Sequence, residues 1–246
     1  MTGRTDRAPT ARLAVFSPHL DDGVLSCGDL LAEHPGSVVV TAFAGRPAAY
    51  PPLTSWDERA GFESGADVVG ARRQEDEQAL TVLGARPHWL DFPDPQYGVK
   101  PTQRDLADAL GAALDETSAE IVLMPLGLFH DDHILTSDAA LDVLRQRSSL
   151  VWLAYADAIY RPLPDLLDRR VQMLRDAGLI LNDVAAIGGG ASDRKRRAVA
   201  CYASQVRALA RSWDGGATDA FEPERYWRLT ASNPPTPPGG RRGDEG

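Results

Sequence analysis

Hydrophobic positions along the 246-residue chain come in short runs separated by amphipathic stretches. Leu13-Ala-Val-Phe16 is continuously apolar, the mark of a strand buried on both faces. Ser37–Ala44, His88–Phe92, Glu120–Leu126 and Leu150–Tyr155 predict four more strands. Between them the apolar positions fall at helical spacing. A helix is predicted over Leu25–Glu33. Another is predicted over 67–84, where Val68, Val69, Ala79, Leu80 and Leu83 make one face between charges. Leu106, Leu110 and Leu114 form an i, i+4, i+8 stripe, and a further helix is predicted from about Ile134 to Arg147. A last one is predicted from about Asp193 to Arg211, after the flexible stretch Gly188–Ser192. Strands that alternate with helices predict a single α/β domain, a mostly parallel sheet flanked by helices.

Three stretches break the alternation. Residues 1–11 read as a loose leader and 232–246 as a disordered tail, leaving 12–231 as the folded body. The tail has four Pro and four Gly and no large apolar residue to bury. Residues 45–66 form a long loop rich in Gly, Pro and aromatics, and loops of that length in compact domains are functional or disordered. Tyr50, Trp56 and Phe62 in it are equally suited to stack on sugar faces or to tuck into the core.

Composition narrows the function. The net charge of −9 repels phosphate backbones, so nucleic acid is not expected as a partner. No apolar run approaches the ~20 residues of a membrane helix, and Met-Thr-Gly-Arg-Thr-Asp-Arg lacks the apolar core of a secretory signal. A cytoplasmic protein is therefore expected. Cys27 and Cys201 do not make a disulfide framework and read as buried small apolar residues.

In open α/β sheets, ligands bind beyond the carboxyl ends of the strands. After the first strand comes Ser17-Pro-His19-Leu-Asp21-Asp22-Gly23, and after the fourth His130-Asp131-Asp132-His133. Each cluster has an ordinary reading as well: Asp at a strand end bonds its own backbone, and acidic residues suit a helix N-terminus. Together, at equivalent strand ends, they converge in space. Imidazole and carboxylate are zinc ligands, and three of them with an open fourth position make a catalytic site. Fe²⁺ or Co²⁺ suits the same donors. The clusters hold three of the chain's five histidines, while His34 and His88 read as surface and strand residues.

These motifs resemble those of the zinc-dependent N-deacetylases of the PIG-L/LmbE type, which carry Pro-His-Pro-Asp-Asp-Glu after the first strand and His-Pro-Asp-His after a later one. Two further signals agree. Arg72, Glu75, Ala79, Leu83 and Gly84 resemble the family's Arg-x-x-Glu helix, and Lys195, Ala198, Tyr202, Ser204 and Gln205 its late Lys-x-x-Ala helix. The chain departs from the pattern at Leu20, Gly23, Asp131 and Tyr202. The resemblance implies a Rossmann-like fold and metal ligands His19, Asp22 and His133. It also implies Asp21 as general base and His130 as general acid or oxyanion stabiliser. Asp132 becomes a residue behind the ligands, holding a histidine by its other ring nitrogen. Arg72 and Asp94 fall at positions that line the substrate pocket, with an ordinary solvated helix residue as the other reading of Arg72. The expected substrate is a small N-acetylated sugar or glycoside, with thiol-sugar or antibiotic biosynthesis as the setting and a homo-oligomer allowed. Another metal-dependent acyl amide or ester hydrolase, or a non-catalytic sugar-binding module, are the rival expectations.

Overall fold

The computed structural model describes residues 11–187, 191–212 and 217–231. The leader up to residue 10, Gly188–Gly190 and the tail 232–246 lie outside the described residues. The five expected strands form as β1 (Leu13–Ser17), β2 (Val38–Thr41), β3 (Arg86–Trp89), β4 (Ile121–Pro125) and β5 (Val151–Tyr155). They pair in parallel in the order β3-β2-β1-β4-β5. Two strands that the apolar runs did not announce, β6 (Leu179–Ile187) and β7 (Glu224–Ala231), complete a seven-stranded sheet. β7 lies antiparallel to both β5 and β6. Their side chains mix apolar with charged residues, because this end of the sheet is partly exposed.

The side-chain alternation of β1 shows why its run is unbroken. Ala14 and Phe16 point into one core with Leu106, Leu110 and Leu114 of α4 (Gln103–Asp115) and Ala140, Val143 and Leu144 of α5 (Asp131–Gln146). Leu13 and Val15 point into the other. That core also holds Leu25 and Leu31 of α1 (Asp22–Glu33), Leu80 and Leu83 of α3 (Val68–Leu83), and Val199 of α7 (Asp193–Cys201). A strand with a core on each face has no polar side. The helix α6 (Leu166–Asp176) lies before β6.

Three expectations change. The loop 45–66 contains a short helix, α2 (Ser55–Ala60), whose first turn is capped when Thr54 Oγ1 accepts the Asp57 N–H at 3.1 Å. The helix expected over 193–211 breaks at Tyr202, whose φ/ψ of −82°/55° ends α7 before α8 (Ala203–Ser212). Cys27 is buried, but Cys201, the last residue of α7, is only half-buried at the margin of the same core. Cys27 also marks a break inside α1, with φ/ψ of −133°/16°. The Glu224 carboxylate from β7 enters that break and accepts the N–H groups of Asp29 and Leu30 at 2.8 and 3.1 Å. Lys195 meets the same carboxylate at 2.7 Å, with both side chains 1% exposed.

Candidate metal and catalytic site

The chain leaves β1 toward β2 on one side, while β4 lies on the other, so the crevice between the ends of β1 and β4 is the sheet's switch point. Local hydrogen bonds shape both loops there. Ser17 Oγ donates to the His19 carbonyl at 2.6 Å and accepts the Gly23 N–H at 2.8 Å. A Cβ at Gly23 would stand 3.1 Å from Val39 Cγ1 and 3.3 Å from the Ser17 side chain, so the substitution at this motif position comes with a close approach. Asp21 takes the N-cap position of α1 and Asp22 its first turn, three residues ahead of the expected start at Leu25. Beyond β4 the chain turns at Gly127 with φ +85°, where a Cβ would meet that of Ser137 at 2.8 Å. His130 then caps α5, its Nδ1 accepting the Asp132 N–H at 3.3 Å. α5 thus begins at Asp131 rather than Ile134, because acidic side chains favour the positive end of a helix.

The two loops bring His19, Asp22 and His133 together. Asp22 Oδ2 lies 3.0 Å from His19 Nδ1 and 3.2 Å from His133 Nε2, a group of donors that could hold a metal ion. His19, His130 and Asp132 form an overlapping group closer to solvent. The donor chemistry of the deeper group fits a divalent cation, since each imidazole is oriented from behind by a carboxylate. His19 Nε2 is 3.3 Å from Asp132 Oδ2, and His133 Nδ1 is 2.6 Å from Asp157 Oδ1. Burial would lower the pKa of His133, but Asp22 and Asp157 outweigh it and push the imidazole up to about 9. His19 is likewise raised against burial, by Asp132 and Asp22. Burial also opposes ionisation of Asp22, yet His133 and His19 hold its carboxyl well below the usual range. Carboxylates so concentrated keep both rings cationic until another cation replaces their protons.

Asp21 and His130 flank this group. Burial and the adjacent Asp22 push Asp21 up to about 7, a value that suits a base near neutrality. Burial and the neighbouring His19 lower the pKa of His130. Its Nδ1 stands 3.4 Å from Asp132 Oδ2 as well as 3.3 Å from the Asp132 N–H. A neutral ring accepts from the N–H, and an imidazolium donates to the carboxylate, so one residue can support both states.

His19, Asp21, Asp22, His130, Asp132 and His133 line a cavity of about 560 Å³. Arg72 and Asp94 line it too. Arg72 is no solvated helix residue: it is 7% exposed, donates from Nη2 to Asp57 Oδ1 at 2.9 Å and lies 3.9 Å from Asp94. Of the loop aromatics, Trp56 faces the cavity, and its Nε1 donates to Gln205 Oε1 at 3.1 Å. Tyr50 and Phe62 instead pack with Val68, Val69 and Tyr97. Glu75 of the Arg72 motif accepts the N–H and O–H of Ser204 at 2.8 and 2.6 Å, tying α3 to the start of α8. Asp157, Lys100 and Asp57 were not anticipated. Asp157 follows β5 just as His19 follows β1, so inspection of every strand end would have found it. Asp57, in the first turn of α2, and Lys100, in the segment before α4, belong to no motif, and no pattern marks them.

Fold and site together define a Rossmann-like α/β hydrolase with a His/Asp pocket at the carboxyl edge of its sheet. Residues 14–144 match the PIG-L family, described as GlcNAc-PI de-N-acetylase, and the chain belongs to that family of N-deacetylases. It is 26% identical to a 2'-N-acetylparomamine deacetylase of Streptomyces fradiae, over 87% of this chain and 85% of that one. A deacetylase of the teicoplanin biosynthetic pathway, in triple-mutant form, superposes with a TM-score of 0.72 at 26% identity, covering 90% of this chain and 99% of the other. The A40926 pseudoaglycone deacetylase Dbv21 gives 0.67 at 26% identity, covering 91% and 99%. No helix among the described residues is long and apolar enough to cross a membrane.

Proposed function

We propose that the chain is a zinc-dependent deacetylase that hydrolyses the acetamide of an N-acetylated amino sugar or glycoside in antibiotic biosynthesis. The observation that carries this reading is the convergence of His19 Nδ1 and His133 Nε2 on one oxygen of Asp22, with Asp21 and His130 on the wall of the same cavity. His19, Asp22 and His133 would hold the metal. When bound, a zinc ion supplies Lewis acidity and lowers the pKa of water to about 7.

The protein's own groups supply the proton transfers. The Asp21 carboxylate takes the proton of the attacking water. His130 Nε2, the ring nitrogen left over when Nδ1 is engaged by Asp132, gives a proton to the leaving amine. Asp132 stabilises the charged ring between these steps. The cavity falls in the range of small-molecule sites. Trp56, Phe129 and Tyr160 offer flat faces for a sugar ring, and Arg72, Asp94 and Gln96 offer partners for its hydroxyls. The names of the aminoglycoside and glycopeptide relatives support a glycoside substrate.

A panel of N-acetylated amino glycosides, assayed for acetate and free amine, tests the reading. Release from at least one, lost with a chelator and restored by zinc, is expected. Asp21→Asn should keep the metal and lower turnover by roughly 10²–10⁴, the usual worth of a general base. Binding of glycosides without acetate release, or hydrolysis of esters alone, would overturn it.

A further inference from the structure

Only two of the 26 basic residues are lysines. Lys195 is buried against Glu224. Lys100, in the segment between β3 and α4, lines the cavity. Its ammonium lies 2.9 Å from Asp132 Oδ1 and 3.9 Å from Asp131 Oδ2. The Asp132 side chain is 3% exposed, and its two oxygens face different partners. Oδ2 stands between His19 Nε2 at 3.3 Å and His130 Nδ1 at 3.4 Å. Oδ1 is buried and accepts no well-aligned hydrogen bond among the described residues, so the off-axis ammonium is what meets its charge.

We propose that Lys100 is a positioning residue: it fixes the rotation of the Asp132 carboxylate so that the opposite oxygen serves His19 and His130 together. A buried anionic oxygen without a partner is strongly disfavoured. Without the ammonium, the carboxylate turns Oδ1 toward a ring nitrogen or water and carries Oδ2 off the two histidines. The choice of lysine in a chain that otherwise uses arginine follows from geometry. A compact ammonium covers one oxygen, whereas a guanidinium fork pairs with both and would compete with the histidines for Oδ2. The kinetic half of this inference rests on the deacetylase reading; the metal-binding half does not.

The test is a double-mutant cycle on the full chain with Lys100→Met and Asp132→Ala, singly and combined. Two quantities are read: the affinity for Co²⁺ by visible absorption, and turnover with KM on the best N-acetyl glycoside. Lys100 is half-exposed, so the methionine variant should fold, and Asp132→Asn replaces the alanine if that variant does not. Lys100→Met should weaken Co²⁺ binding and turnover by about tenfold, the low end for a partner behind metal ligands. KM should stay within about twofold, because the lost interaction does not involve bound substrate. In the Asp132 variant the same change should cost nothing further in either quantity. An equal cost with and without Asp132, or a rise in KM alone, would overturn the proposal and place Lys100 on the substrate. A wild-type protein that hydrolyses no N-acetyl glycoside would remove the deacetylase reading, while the Co²⁺ cycle would still decide the role of Lys100.

Discussion

Replacing Asp157 by asparagine changes the chemistry of one atom and almost none of the volume. The carboxylate is 1% exposed and has two duties. Oδ2 accepts the N–H groups of Gly127 and Leu128 at 2.9 and 3.1 Å, and Oδ1 faces His133 Nδ1 at 2.6 Å. In the variant, the two backbone donors hold the amide oxygen on their side. The NH₂ group then points at His133 Nδ1, which must accept, so the ring carries its proton on Nε2. That is the nitrogen that faces Asp22 Oδ2 at 3.2 Å and is needed for a metal. Baring it requires the amide to flip and leave two buried N–H groups facing a donor. At about 1–3 kcal/mol for each lost partner, the cost is about 2–6 kcal/mol. Metal affinity should fall by roughly 30-fold to 10⁴-fold, at about 1.4 kcal/mol per decade. Zinc titration against a competing chelator measures it, with melting of the metal-free protein as a check on folding. Affinity within about threefold of wild type, a change too small for even one such lost partner, would refute the tautomer argument.

Further outcomes follow from the same contacts. Below pH 9 the metal-free His133 is charged, and His19 is raised as well, so loading the metal should release protons at neutral pH. Release should fade as the pH passes about 9, and calorimetry in buffers of different ionisation enthalpy reads it; no release at pH 7 would contradict the assigned donors. Asp76, which accepts from Trp89 Nε1 and the Tyr202 hydroxyl at 2.7 Å each, is pushed up to about 7 by burial. Unfolded aspartate ionises near ~3.9. Between these values the native state holds an extra proton, and stability falls as pH rises through the window. Asp76→Asn should therefore gain on wild type from about pH 4 to 7 in urea unfolding; a difference independent of pH would count against it. Lys195→Met leaves the Glu224 charge without its cation and should cost about 3–5 kcal/mol by the same measurement, and a neutral result would show that the two helix N–H groups and the Tyr226 hydroxyl suffice to hold that carboxylate.

The parallel half of the sheet was legible because β1, β4 and β5 are buried on both faces and so carry unbroken apolar runs. β6 and β7 were not, since exposure at the sheet end mixes polar residues such as Asn182 and Arg228 into them. The site residues His19, Asp21, Asp22, His130 and His133 stood out because they crowd two strand ends. Their supports did not. Lys100, Asp57 and Asp157 come from distant segments and meet the site only through the fold, where the buried carboxylates of Asp132, Asp57 and Asp157 each need a partner.

The carboxylate in the break of α1 sets an order of events during synthesis. Asp29 and Leu30 belong to the first helix among the described residues, yet the group that satisfies their N–H donors arrives with the last of the described strands. At ~5–20 residues per second, roughly 10–40 s of translation separates them. Until Glu224 emerges, the helix that begins with Asp22 carries two unpaired donors at its bend, and Lys195 has no counter-charge. The bend of α1 is therefore completed only after β7 has been made and has joined the sheet.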